Sequence, residues 1–158
     1  VGHAPSNRDI KGTKTVIQVA NKMKSSGFDF EFILIEGVNN SEAKKKYEEI
    51  DILVDQLFAG WYGGLAVELM ALGKPVLSYL REEDFHFLPK EMPKDIPIIN
   101  VNEFTLLEKL NELLSMPRND LRNIGHRSRK YVEKWHDPKK VANGILKDIY
   151  CEFPLKDE

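Results

Sequence analysis

The stretch DILVDQLFAGWYGGLAVELMALGKPVLSYL, residues 51–80, places a glycine-rich turn and a helical segment between two apolar runs. Residues 51–57 predict a buried strand, residues 64–72 a helix and residues 75–80 a second strand. Strands that return through a helix form parallel βαβ units, and continuous apolar strands are typical of sheets covered on both faces. This stretch therefore predicts an α/β fold.

The same alternation of apolar strands with helices extends along the rest of the chain. We expect a doubly wound, mostly parallel, Rossmann-like sheet, and residues 81–96 predict a mixed loop. The further strands are predicted at 1–4, 28–37 and 97–101, and the further helices at 13–27 and at 41–50, with Ser41 as the N-cap of the latter.

Three C-terminal helices are predicted after the last strand. Leucines at helical spacing mark the first over residues 106–114, and apolar residues mark the second over 121–135. The third begins with Asp137 as N-cap and Pro138 at the first helical position. Its apolar face, which we expect to be buried, consists of Val141, Ile145 and Ile149.

Length and composition exclude several classes of protein. A chain of 158 residues is long enough for one domain with a real core, so residues 1–158 are treated as one unit. The net charge of −2 does not favour binding to nucleic acid or to an anionic membrane. The apolar runs are too short to span a bilayer, so no integral membrane segment is expected. A single cysteine, Cys151, favours a reducing compartment such as the cytoplasm.

Suggestive side chains and glycines lie at the carboxyl ends of the predicted strands, where open parallel sheets bind ligands. Arg8 and Lys11 follow the first strand, and Asp55 ends the third. Gly63 and Gly64 open the helix that follows. Free N–H groups at a helix start bind anions, and glycine lets an anion approach the backbone closely. A tight turn that needs glycine for backbone reasons alone explains the pair equally well.

A single carboxylate, Glu68, lies about one turn into this helix among apolar residues. Near the positive end of the helix dipole, it can accept hydrogen bonds from two vicinal hydroxyls, such as those of a ribose. The simpler interpretation is an acid that stabilises its own helix at the protein surface.

Other kinds of site fit the sequence less well. A dinucleotide site needs G-x-G-x-x-G after the first strand, and HAPSNRDIKG, residues 3–12, has no such triplet. A receiver-type signalling domain would use Asp55 as phosphate acceptor. It also needs an acidic pair after the first strand and a lysine after the last strand, and this sequence has neither at those places. The four histidines show no metal-ligand spacing, so no metal site is expected.

Residues 51–76 resemble the donor-binding segment of retaining glycosyltransferases of family 4, which have the two-Rossmann architecture called GT-B. The family phrase E-A-M-A-x-G-x-P-V is matched by ELMALGKPV, residues 68–76, and NRDIKG, residues 7–12, is similar to the family's Arg…Lys-Gly element. The resemblance extends from about residue 3 to about residue 150. It implies the second, donor-binding domain of such an enzyme, without the N-terminal acceptor-binding domain.

The resemblance also implies a role for each candidate residue, with a nucleoside-diphosphate sugar as donor and neither cofactor nor metal. Glu68 would hold the donor ribose. The donor diphosphate would be bound by Arg8, Lys11, Gly63, Gly64 and Leu65. Possible contacts to the sugar or the base are Asn7, Gly37, Asp55 and Gly60.

One position departs from the family pattern. The family has a first Glu eight positions before the second, and this sequence has Gly60 there.

The resemblance implies metal-independent hexosyl transfer to a glycan or lipid-linked acceptor in polysaccharide biosynthesis. It also implies a cytoplasmic protein, at most peripheral at the inner membrane face. These 158 residues alone are expected to be inactive. The missing acid leaves open a non-catalytic nucleotide-binding regulatory module of the same fold, and a receiver-type domain is the less favoured alternative.

Overall fold

The computed structural model describes residues 1–152, with side chains throughout that range except at residue 148 and residues 150–152. Five short strands form one sheet: β1 (Gly2–His3), β2 (Ile33–Leu34), β3 (Leu53–Val54), β4 (Val76–Ser78) and β5 (Ile99–Asn100). Their spatial order is β2-β1-β3-β4-β5, and every pair of neighbours is parallel. The predicted parallel α/β sheet is confirmed.

Helices connect the strands and close the chain, including the three predicted at the C-terminal end. The α-helices are α1 (Arg8–Lys11), α2 (Thr13–Ser25), α3 (Asn40–Glu49), α4 (Gly64–Ala71), α5 (Met92–Asp95), α6 (Leu106–Leu114), α7 (Arg118–Trp135) and α8 (Pro138–Glu152). A 3₁₀ helix (Glu82–Phe87) follows β4.

The sheet is covered on both faces, as the apolar strands predict. Val76 and Leu77 are consecutive in β4, fully buried, and belong to different hydrophobic clusters because successive strand residues point to opposite faces. The cluster around Val76 includes residues of α3, α4 and α7. The cluster around Leu77 includes residues of α2, α6 and α7. The fold is therefore doubly wound.

The strand order defines where a ligand crevice can form. The chain leaves β1 towards β2 on one side, whereas β3 and β4 lie on the other side of β1. The loops after β1 and β3 therefore diverge at the carboxyl edge of the sheet, which is the topological switch point of such folds. Residues 4–12 and 55–63 form these two loops and contain most of the candidate site residues.

Several local predictions are wrong, and all five strands are shorter than predicted. Helix α3 is capped by Asn39, whose side chain accepts the N–H of Glu42 at 3.0 Å, and not by Ser41, because the N-cap lies two residues earlier than predicted. The second strand is limited to 33–34 because its partner β1 ends at His3, close to Pro5, which has no N–H to donate. The predicted mixed loop contains the 3₁₀ helix and α5.

The apolar face of α8 is exposed, so the prediction that it is buried is wrong for this chain. Val141, Ile145 and Ile149 have between 45% and 56% of their surface exposed. Helical periodicity shows that a face is apolar but not that another element covers it. No helix within residues 1–152 is long and apolar enough to cross a bilayer.

Helices α4 and α7 pack closely where two glycines meet. A Cβ added to Gly125 in α7 would clash with the carbonyl oxygen of Gly73, just after the end of α4. The obstructing atom belongs to the backbone, so a side-chain rotation cannot relieve the clash. Gly125 therefore sets the distance between the two helices.

We expect Gly125→Ala to lower the free energy of unfolding by about 1–3 kcal/mol, because the new methyl group forces α4 and α7 apart. Gly144→Ala is the matched control, since Gly144 is also helical and a Cβ there meets no atom within 4 Å. That variant should gain up to about 1 kcal/mol from helix propensity. Urea unfolding measures both, and a Gly125→Ala protein as stable as the wild type would contradict the packing.

Candidate functional site

Asp55 is the centre of the hydrogen-bond network at the switch point. It follows β3, is fully buried, and accepts a hydrogen bond from Lys11 Nζ at 2.6 Å and another from the Gly63 N–H at 2.9 Å. A buried carboxylate is stable only with such donors, and an ammonium is the stronger of the two. The network therefore ties the loop after β1 to the turn before α4.

These contacts change the roles that the resemblance assigns. Lys11 Nζ lies 3.3 Å from where a Cβ of Gly63 would be, so the missing side chain leaves room for the ammonium group. The Gly63 amide already donates to Asp55 and is not available to a diphosphate. Asp55 has no exposed surface, so it cannot contact a sugar or base in this structure.

Two backbone amides remain open at the start of α4. The helix begins at Gly64, as the sequence predicts, and its N-cap Gly63 provides no capping side chain. The N–H groups of Gly64 and Leu65 have no hydrogen-bond partner among residues 1–152. Such groups point out of the helix along its axis and carry its positive dipole end. They form a two-donor anion site beside Lys11.

Arg8 lies at the surface at the start of α1. Its Nε is 3.0 Å from Oε1 of Glu36, which follows β2, and the side chains are 59% and 32% exposed. An exposed pair of this kind contributes only about 0–1 kcal/mol, so Arg8 can exchange Glu36 for another anion at little cost. Asn7 is committed to structure, because its side-chain oxygen caps α1 by accepting the N–H groups of the next turn. Gly37 adopts φ +65° in open space.

Glu68 is exposed in the second turn of α4, with no hydrogen bond or ion pair from its carboxylate to any of residues 1–152. Its charge acts on Tyr47 of α3: burial first, and then the Glu68 carboxylate, raise the pKa of the Tyr47 hydroxyl. The acid thus lies near Tyr47 of α3, which connects β2 to β3. Its oxygens are available to a ligand.

Arg81 belongs to the same edge, and the sequence did not single it out. Gly60 has φ +79°, and a Cβ there would lie 3.4 Å from the Arg81 Cβ and 3.8 Å from its guanidinium carbon. The Arg81 N–H donates to the Gly60 carbonyl at 2.8 Å. Its position just after β4, at the carboxyl edge, was the available clue.

A buried amide, Gln56, fixes the loop between Gly60 and β3. Its Nε2 donates to the carbonyls of Trp61 at 2.8 Å and Tyr79 at 2.9 Å, and its Oε1 accepts the N–H of Ala59 at 2.6 Å. Both polar atoms of the Gln56 side chain therefore bond to backbone groups. The turn before α4 is therefore held against the segment after β4.

The same turn is anchored to α7 through Tyr62. Its hydroxyl is 2.7 Å from the Tyr131 hydroxyl and 2.9 Å from Nε2 of His136. Burial raises the pKa of both tyrosines and lowers the pKa of His136. All three groups are therefore neutral near pH 7, and the network carries no charge into the core. Among the side chains that the structure describes, no three acids, histidines or cysteines are grouped to hold a metal ion.

We expect the free energy of unfolding to fall as the pH drops from about 7.5 to about 5.5. The folded pKa of His136 lies below its ordinary value of 6.5, so the unfolded chain binds the proton more tightly below that pH. Stability from this group is complete above pH 6.5 and is lost by up to about 1.4 kcal/mol per pH unit below it. His3, whose pKa burial also lowers, acts in the same direction.

His136→Gln isolates the effect, because glutamine keeps a polar partner for Tyr62 but does not titrate. Urea unfolding at about pH 7.5 and about pH 5.5 should show a smaller loss of stability on acidification for the variant than for the wild type. Equal losses in the two proteins would contradict the assignment.

Comparison with known proteins shows which fold the chain shares. No family model and no curated protein matches the sequence. Among solved structures, the chain is similar to the crystal structure of the C-terminal domain of a glycosyl transferase group 1 family protein (LpcC) from Francisella tularensis. The TM-score is 0.59 at 20% sequence identity, over 87% of this chain and 84% of that one. The chain therefore has the α/β fold of that C-terminal domain.

Proposed function

We propose that this chain is the donor-binding half of a retaining, metal-independent glycosyltransferase that uses a nucleoside-diphosphate sugar. The observation that carries the proposal is the pair of open amides at Gly64 and Leu65 beside Lys11, with the unpaired Glu68 one turn further along α4. A domain of the same fold belongs to a protein described as a group 1 family glycosyl transferase, which supports this choice.

Both basic side chains proposed to bind the diphosphate already have an acidic partner: Arg8 pairs with Glu36, and Lys11 pairs with Asp55. Lys11 has three N–H donors, of which one is used by Asp55, so the same ammonium can bridge Asp55 and a phosphate oxygen. Arg8 is exposed and can turn from Glu36 to the phosphate. The anion then meets two amides, one ammonium and one guanidinium, a donor set that suits a diphosphate.

The donor ribose fits next to this site. Glu68 is on the same helix as the open amides and lies near Tyr47 of α3, so the nucleoside would extend towards the β1 side of the crevice. Its carboxylate can accept from both ribose hydroxyls, since no group among residues 1–152 already donates to it.

The proposed reaction breaks the bond between the anomeric carbon and the diphosphate oxygen, which keeps the electron pair. The acceptor hydroxyl oxygen bonds to the same carbon, and its proton passes to the departing diphosphate. The fixed amides, Lys11 and Arg8 would stabilise the charge that develops on the diphosphate. The acceptor, which we take to be a glycan or a lipid-linked sugar, would be bound by an N-terminal domain in a cytoplasmic or peripheral protein.

Two alternatives differ in what they require of the site. A non-catalytic nucleotide-binding module of the same fold is favoured by Gly60, which brings no carboxylate to the turn. A receiver-type domain shares the strand order observed here. Asp55, its required phosphate acceptor, is buried and bonded to Lys11 and Gly63, so the geometry does not favour it.

The ribose contact can be tested with nucleotides that differ by one hydroxyl. We expect the wild type to bind UDP or GDP about tenfold more tightly than the matching 2′-deoxy nucleotide, because the deoxy form loses a hydrogen bond to a charged group. Glu68→Gln should reduce this difference. Isothermal titration calorimetry measures all four affinities.

Glu108→Gln is the control for this experiment, since Glu108 is an exposed acid of α6 on the other face of the sheet. It should retain the full preference for the ribonucleotide. If the wild type binds ribo and deoxy nucleotides equally, Glu68 does not hold the ribose, and if neither diphosphate binds, the proposed function is wrong.

A further inference from the structure

A cation lies at each end of the turn from Gly60 to Gly63. Lys11 Nζ is 3.3 Å from the Cβ position of Gly63, and the Arg81 guanidinium carbon is 3.8 Å from that of Gly60. Three residues span at most about 10 Å, so both cations can contact one extended ligand. Lys11 belongs to the proposed diphosphate site, and Arg81 has no role in it.

The topology indicates which part of the ligand would reach Arg81. β1 and β4 lie on opposite sides of β3 in the sheet. Glu68 lies on α4, on the face of the sheet that α3 covers as it crosses β1 from β2 to β3, whereas Arg81 follows β4. A donor whose ribose is at Glu68 and whose diphosphate is at the start of α4 would therefore extend its sugar towards β4. The transferred sugar is the part of the donor that would lie at Arg81.

The backbone around Arg81 is held rigidly before any ligand binds. Its N–H donates to Gly60, and Gln56 binds the Tyr79 carbonyl. Asn100 of β5 holds the preceding residue at both polar groups, accepting the Leu80 N–H at 2.8 Å and donating to the Leu80 carbonyl at 2.9 Å. The backbone at Arg81 therefore does not have to be ordered when the side chain binds a ligand.

The guanidinium group is held on one side by an acid, and its other N–H groups remain available. Its Nε donates to Asp84 at 2.6 Å, and the side chain is 57% exposed. Its terminal N–H groups have no hydrogen-bond partner among residues 1–152. Of the neighbouring acids, Glu82 accepts from Asn100, and Glu83 acts on the guanidinium group through its charge alone. Gly60 adds no carboxylate. The open edge of the guanidinium is therefore a fork that fits a planar carboxylate.

We propose that Arg81 recognises a carboxylate on the transferred sugar, so that the donor is the nucleoside diphosphate of an acidic sugar such as a uronic acid. This assignment rests on the proposed function. A neutral sugar hydroxyl would give the guanidinium a weaker partner than the carboxylate does. Asp84 competes for the same cation, so the preference for the acidic sugar should be moderate.

The test compares sugars that differ only in a carboxylate in place of a hydroxymethyl group. Isothermal titration calorimetry of the whole chain would use UDP, UDP-glucose and UDP-glucuronate, and GDP, GDP-mannose and GDP-mannuronate. With the base that binds, we expect the acidic donor to bind about tenfold more tightly than the neutral one. Arg81→Gln should abolish that ratio and leave the affinity for the bare nucleoside diphosphate unchanged.

Two further variants sharpen the result. Asp84→Asn removes the competing acid and should increase the preference for the acidic sugar. Arg129→Gln is the matched control, because Arg129 is another exposed arginine whose Nε pairs with an acid at 2.6 Å, and it lies on α7. This control should keep the wild-type ratio.

Nucleotide binding without a preference for the acidic sugar overturns the role of Arg81 and leaves the proposed function standing. A preference that survives Arg81→Gln overturns it as well. Absence of binding by every nucleotide overturns the proposed function and this assignment together.

Discussion

The buried carboxylate of Asp55 is the constraint on which the site depends. Removing a charge from water costs several kcal/mol, and this cost is offset only if close donors replace the water. Lys11 and the Gly63 amide supply those donors from two loops that diverge in the sequence and in the strand order. Asp55 therefore aligns the loops, and the amides of Gly64 and Leu65 are left to face the crevice.

This arrangement explains why the turn before α4 is rich in glycine. At Gly63 a side chain would meet the Lys11 ammonium, and at Gly60 the positive φ and the nearby Arg81 both disfavour one. Between these positions Tyr62 anchors the turn to α7. The turn is thus held against α7, and a cation lies at each of its ends. A ligand laid across it would meet rigid donors, which is what charge stabilisation in a transfer reaction requires.

The sequence predicted the layers of the fold better than the contacts of the site. Apolar runs and helical spacing are local properties, so the parallel sheet and the start of α4 at Gly64 could be read directly. Asp55 could be placed at a strand end, but its partner Lys11 is 44 positions away, and no local pattern pairs them. Arg81 was missed for the same reason. The exposed face of α8 was mispredicted because periodicity does not tell what covers a helix.

A double-mutant cycle on Asp55 and Lys11 tests the central claim most directly. The free energy of unfolding would be measured by urea for the wild type, Asp55→Asn, Lys11→Met and the double variant. Breaking a buried ion pair from one side leaves an uncompensated charge, so each single change should cost about 3 kcal/mol. The double variant should cost clearly less than the sum of the two. Small and additive losses would contradict the account, because the pair would then not hold the two loops together.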